Sequence, residues 1–316
     1  QGYLNIPLSD NLAVRGVLYN YDSAGFIDNL GTGNEDVNGE DVTGGRLALR
    51  WAISGRAAFN LLYLNQSQKL GGGQGFDSQT TQSTYTPVLN GLPTDISPPD
   101  LENPSFYSHF DPFQKKDFEV LNLKLGINFE SFDLTVMGAT KQREQFIKID
   151  AGLYIGIYDA VTSTPYDVNT VSDANTLEAR LVSTGDGAIE WIAGVWYEKE
   201  DRDRSDIISV ETPRADLVIF GVPSAALSSA NGNFLQNSTG FRDAKELAFY
   251  GEVGYRFTDQ AKLTLGYRRS DLKLDSGVLS SIGPFGGGNA AAIGVDESTQ
   301  EDINTYKIHF EYALNE

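Results

Sequence analysis

Few side chains in this sequence have the type and spacing to do covalent chemistry. Glu198 and Glu200, in "YEKEDRDRSD", could bind a cation or divide acid and base roles. A strand end whose charges meet water accounts for the same pair. His109 and His309 are the only histidines and there is no cysteine, so a cysteine nucleophile and a thiolate metal site are excluded. The glycine runs "GGGQG" at Gly71 and "GPFGGGN" at Gly283 lack the lysine and the following helix of a phosphate-binding loop. The expectation is a non-enzyme with neither a cofactor nor a metal site.

Residues suited to non-covalent binding are more numerous. The segment "NPSFYSHFDPF" gathers Phe106, Tyr107, His109, Phe110 and Phe113. Exposed rings of this kind stack on a sugar or an aromatic chelator, or they pack a long loop against its neighbours. A second set, Arg46, Lys141, Arg143, Trp196, Tyr250 and Arg268, falls on the polar side of alternating segments near their long-loop ends. Cations and aromatics at such a mouth would hold an anionic ligand, unless carboxylates such as Glu198 and Glu252 already pair with them.

The elements that position these residues are strands. In "ELAFYGEVGYRFTDQAKLTLGYRRSD", Leu247, Phe249, Gly251, Val253, Tyr255 and Phe257 share one face and Glu246, Tyr250, Glu252 and Arg256 the other. After the "TDQ" turn the alternation resumes through Leu263, Leu265 and Tyr267, which predicts a hairpin with one oily and one polar face. Asp117 to Phe129 and the run from Phe132 repeat the pattern across "ES". Further pairs are Tyr3 to Leu8 with Leu12 to Tyr21, Gly45 to Ile53 with Arg56 to Leu64, and Thr176 to Ser183 with Ala188 to Lys199. Asp302 to Ala313 is the last, and the total is roughly eleven strands, each long enough to cross a bilayer at a tilt.

Connections alternate in length. "SDN", "SGR", "ES", "GDG" and "TDQ" are short, whereas Asp22 to Glu40, Ser67 to Lys116, Ile147 to Ala174, Glu200 to Asp243 and Leu274 to Glu301 are long and rich in Gly, Asn, Asp, Ser and Pro. In an up-and-down sheet this places every tight turn at one rim and every loop at the other, as in an outer-membrane barrel. Phe129, Phe132, Phe257 and Tyr312 flank the tight turns, where a membrane-interface girdle would sit. The oily face is therefore expected to meet lipid. Across the 316 residues no apolar run suits a spanning helix, and a net charge of -19 argues against a nucleic-acid partner.

Several of these segments resemble the barrel of TonB-dependent outer-membrane receptors. The hairpin from Glu246 to Asp271 is similar to that family's recurrent "G-E-x-x-Y-x-F-T-D … L-T-L-G-x-R-Y" pair, and "IEWIAGVWYEKEDRD" to its W-x-x-G-x-x-Y strand. "DVNGEDVTGGRLALRW" looks like a loop-to-strand entry and "AVRGVLYNYDSAGFIDN" like the region after the plug. The resemblance implies about the first half of a barrel of roughly 22 strands, in an all-β, antiparallel up-and-down architecture. Residues 1–316 would form one partial barrel domain, with the plug, the TonB box and the later strands outside it. It further implies residence in the outer membrane of a Gram-negative bacterium. The partners implied are outer-membrane lipid, the inner-membrane TonB complex and a scarce small-molecule ligand, by default a ferric siderophore. A passive porin and a soluble β-rich binding or adhesion protein are the alternatives. A half-barrel on its own would expose two strand edges, as an open sheet or closed into a smaller barrel.

Overall fold

The computed structural model of the chain describes residues 1–72, 104–106, 108–151, 163–185, 187–211, 218–219, 222–223, 234–282 and 292–314. The elements, in order, are β1 (Gly2–Ser9), β2 (Leu12–Ser23), β3 (Asp28–Asn29), β4 (Glu40–Ser54), β5 (Ala57–Gly71), β6 (Ser105–Phe106), β7 (Phe113–Asn128) and β8 (Phe132–Asp150). Then come β9 (Pro165–Ser183), β10 (Ile189–Ser209), β11 (Val218–Ile219), β12 (Val222–Pro223), β13 (Phe234–Arg256), β14 (Ala261–Ile282) and β15 (Ala292–Tyr312). Eleven of them form one sheet in the order β1-β2-β4-β5-β7-β8-β9-β10-β13-β14-β15. Every neighbouring pair in it is antiparallel, so the all-β, up-and-down reading holds.

Within the described residues the sheet is open. β1 pairs with β2 alone and β15 with β14 alone. The other two sheets are small. β3 and β6 pair in parallel, joining the first two long loops, and β11 pairs with β12 inside the fourth.

Register explains how alternation becomes a band. Ile6, Val14, Leu49, Leu61, Leu123, Val136, Ala179, Val195 and Phe249 lie on one face within a few residues of each other's rows. On β14 and β15 it continues through Leu265 with Ile308 and Tyr267 with Tyr306. Several of these side chains stand exposed, Phe249 to 58 % and, on the edge strand β15, Ile308 to 78 % and Tyr306 to 74 %, and a contiguous apolar patch of this kind marks a contact surface. From Leu247 to Phe257 the band covers eleven residues, all but Phe257 in β13, the length a tilted strand needs to cross a membrane. At the tight-turn rim Phe129 stacks on Phe132 at 4.7 Å, and Tyr255 meets Phe257 edge-on at 4.8 Å.

Strand length departs from the sequence reading. β7 starts at Phe113 rather than Asp117, β9 at Pro165 rather than Thr176 and β15 at Ala292 rather than Asp302. β10 runs to Ser209, ten residues past Lys199, and β13 begins at Phe234 rather than Glu246. Above the apolar band both faces of the sheet carry polar side chains, as in "EDRDRSD" of β10. A period-2 hydrophobic signal requires one dry face, so it vanishes there while the backbone ladder continues.

Candidate ligand-binding site

The polar face of β9, β10, β13 and β14 carries an ordered charge array. The Tyr250 hydroxyl donates to Glu178 Oε1 at 2.5 Å, and the Arg268 guanidinium lies 5.9 Å from the centre of the Tyr250 ring. Arg268 donates to Glu246 Oε1 at 2.7 Å and to Ser270 at 3.1 Å. Gly194 makes room for this stack. It sits opposite Tyr250, and a Cβ there would fall 2.3 Å from the ring. Towards the tight turns Glu190 takes both Arg256 and Lys262 at 2.5 Å, and Lys307 reaches Glu252 at 2.9 Å.

The six candidates of the second set do not gather at the mouth. β13 extends sixteen residues above Tyr250 and β14 fourteen beyond Arg268, so these residues stand at mid-strand instead of the long-loop rim. The displacement has the same cause as the strand boundaries: the unpatterned upper halves read as loop. Tyr250 and Arg268 are brought together, with Trp196 beside Glu178 in register. Lys141 is opposite Val120 and Ala174, and Arg143 donates to Gln145 at 2.6 Å. Arg46 lies between Val17 and Leu64, several strands away. Glu198 faces Glu246 across β10 and β13, while Glu200 accepts from Arg202 at 2.7 Å and Ser172 at 3.0 Å, so the two carboxylates have different neighbours.

Above the sheet the long loops are tied into a knot. Asn29, fully buried, uses its whole side chain: Nδ2 donates to Phe110 O at 3.1 Å and Asp111 Oδ1 at 2.9 Å, while Oδ1 accepts from Gly31 N and Ser108 N at 3.0 Å. Asp111 also accepts from Thr32 at 2.9 Å and Asn34 at 2.6 Å. Burial pushes the Asp111 carboxyl up, but the hydrogen bonds from Asn29, Asn34 and Thr32 outweigh it and hold the group below its ordinary value.

His109 is turned into this assembly. Its Nδ1 lies 2.7 Å and its backbone N 3.1 Å from Asp150 Oδ2, with the two side chains only 14 % and 4 % exposed. Phe106 belongs to β6, and its carbonyl accepts from Leu30 N at 2.8 Å. Phe110 lies under Lys148 at 5.2 Å and Phe113 against Phe146 at 5.7 Å. Tyr107, most of "GGGQG" and the run after Gly283 lie outside the described residues. Sequence reasoning missed Asn29, Asp111, Asp150 and Glu178. None carries a local sequence signal, and each has its partner far away in the chain.

No protein-family model matches the chain, and no curated protein sequence does either. Solved structures do. The ferric yersiniabactin uptake receptor of Yersinia pestis superposes with a TM-score of 0.72 at 16% identity, covering 99% of this chain and 42% of that one. The ferripyoverdine receptor of the Pseudomonas aeruginosa outer membrane, bound to ferripyoverdine, gives 0.67 at 15% identity over 99% of this chain and 38% of that one. The open form of the ferric-catecholate import receptor of E. coli K12 gives 0.64 at 13%, over 99% and 50%. The fold these superpositions show is that of part of an antiparallel, up-and-down receptor barrel. Within that class it is the barrel fold of the ferric-siderophore receptors, and this chain spans half or less of the length of each of these three.

Proposed function

We propose that the chain is barrel from an outer-membrane active-transport receptor that binds a ferric siderophore and imports it with energy delivered through TonB. The observation that carries this reading is the superposition of 99% of the chain on the ferric yersiniabactin uptake receptor. An apolar outer band and a charged inner face support it. On this reading residues 1–316 are one partial barrel domain in a Gram-negative outer membrane. A plug and the remaining strands lie in the rest of the protein, and the work done is binding and translocation without bond-making. The Tyr250–Arg268 stack and Trp196 on the inner wall, with Arg46, Lys141 and Arg143 further round and the Phe106–His109 loop segment above, are the proposed ligand contacts.

The test is uptake of radio-iron siderophores by a siderophore-deficient Gram-negative strain expressing the full-length protein, with TonB present or deleted. Uptake that needs both supports the proposal. Uptake unaffected by TonB deletion, with non-selective swelling of reconstituted liposomes, would instead identify a passive porin.

A further inference from the structure

On the outward face, above the apolar band, charges are sorted into rows. The band ends on β9, β10 and β13 at Leu177, Tyr197 and Leu247, which are in register with one another. Two residues further towards the long loops stand Lys199, Lys245 and Lys273, side by side on β10, β13 and β14. Two residues beyond these come Asp173, Asp201, Asp243 and Asp275, one from each of β9, β10, β13 and β14. Neighbouring strands run in opposite directions, so the rows arise from "KED" on β10, "DAK" on β13 and "KLD" on β14.

Like charges directly opposite one another destabilise a sheet, and a checkerboard of the same residues would set each lysine beside an aspartate. Lys199 and Lys273 each donate along their own strand, to Asp201 at 2.5 Å and to Asp275 at 2.7 Å. Among the described residues Lys245, Asp173 and Asp243 form no salt bridge. Contacts within the chain therefore do not account for the sorting. A partner with layered charge does: anionic groups next to the apolar band, and cationic groups one row further out, roughly 7 Å along the strand. Lipid phosphates sit at the edge of the acyl region and attract lysine there, and divalent cations accept carboxylate and phosphate oxygens alike.

We propose that this outward strip is a docking surface for phosphorylated lipid headgroups, whose phosphates seat against the lysine row and whose divalent counter-cations are shared with the aspartate row. It rests on the membrane residence proposed above and uses none of the ligand contacts on the inner wall. Its test is native mass spectrometry of the full-length protein, delipidated in detergent and given magnesium with bisphosphorylated lipid A, or with the same lipid stripped of both phosphates. The phosphorylated lipid should be retained at least tenfold better, and chelating the magnesium should weaken its retention several-fold. Exchanging the two central charges, Asp243→Lys with Lys245→Asp, keeps composition and net charge but breaks both rows, and should lower retention several-fold. Lys245→Gln should lower it by a smaller factor and serves if the exchange variant does not fold, as heat-dependent gel mobility reports. Lys115→Gln, outward-facing on β7, should leave it unchanged. Retention that ignores the phosphates, the chelator or the folded row variants overturns the strip. A parent protein that needs detergent yet behaves so refutes this inference alone, whereas one that stays in aqueous solution without detergent refutes the membrane reading beneath it.

Discussion

Asn29 and Asp111 stand 82 positions apart in the chain, yet a 2.9 Å hydrogen bond joins their side chains at the centre of the loop knot. Asn29 is fully buried, so removing its amide strands the backbone amides of Gly31 and Ser108 and takes a donor from the Phe110 carbonyl, while Asp111 keeps Thr32 and Asn34. Unsatisfied buried groups cost about 1–3 kcal/mol each. Asn29→Ala should therefore release the first two loops to limited proteolysis at least tenfold faster while the barrel keeps its heat-dependent gel mobility. Equal cleavage of variant and parent would show that the knot contributes nothing.

The same knot carries an acid sensitivity. Asp111 has its pKa lowered in the folded loops, so its contribution is complete above the value near 4 of an unfolded aspartate and is lost as pH falls through the lowered one. Hydrogen exchange of residues 28–37 should accelerate below about pH 4 in the parent. In Asp111→Asn, which cannot titrate, this segment should exchange faster at neutral pH and lack that acid step.

The apolar band predicts a sidedness of substitution. Phe249 lies within the band, and an arginine near the bilayer midplane on the lipid face costs about 2–4 kcal/mol. Phe249→Arg should show that loss in urea titrations of the protein folded into lipid vesicles. His309→Arg, on the opposite face beside Glu311 at 3.8 Å, should change stability by less than about 1 kcal/mol.

Gly194 is a packing partner and not a flexible joint. Gly194→Ala must push the Tyr250 ring off the strand, parting it from Glu178 and Arg268. A destabilisation of about 1–3 kcal/mol is expected from forcing an extra carbon into a filled site. Tyr250→Leu should make the alanine nearly neutral, a coupling that a double-mutant cycle in lipid vesicles would reveal.

These predictions draw unequally on sequence and structure. Leu247 to Phe257 announces its two faces because apolar side chains on one and charged and polar ones on the other alternate with a period of two. The upper half of β10, from Glu200 to Ser209, meets polar surroundings on both sides and so reads as loop. Tyr250 and Arg268 could be placed on the same face from parity, but their stack also needs the β13–β14 register and the bare backbone of Gly194. The Asn29–Asp111 knot and the His109–Asp150 contact were illegible. Their partners are brought together by loops whose paths follow no periodic pattern.

The direction of travel of the two edge strands sets a parity rule. β1 descends to the tight turn at Asp10, and β15 also ends at the tight-turn rim, where Ala313 N bonds Gln260 O at 2.8 Å. Their exposed ladders point the same way, so joining them directly would make a lone parallel seam in an otherwise antiparallel sheet. A ring in which every seam is antiparallel requires an odd number of further strands between them, and its total is then even.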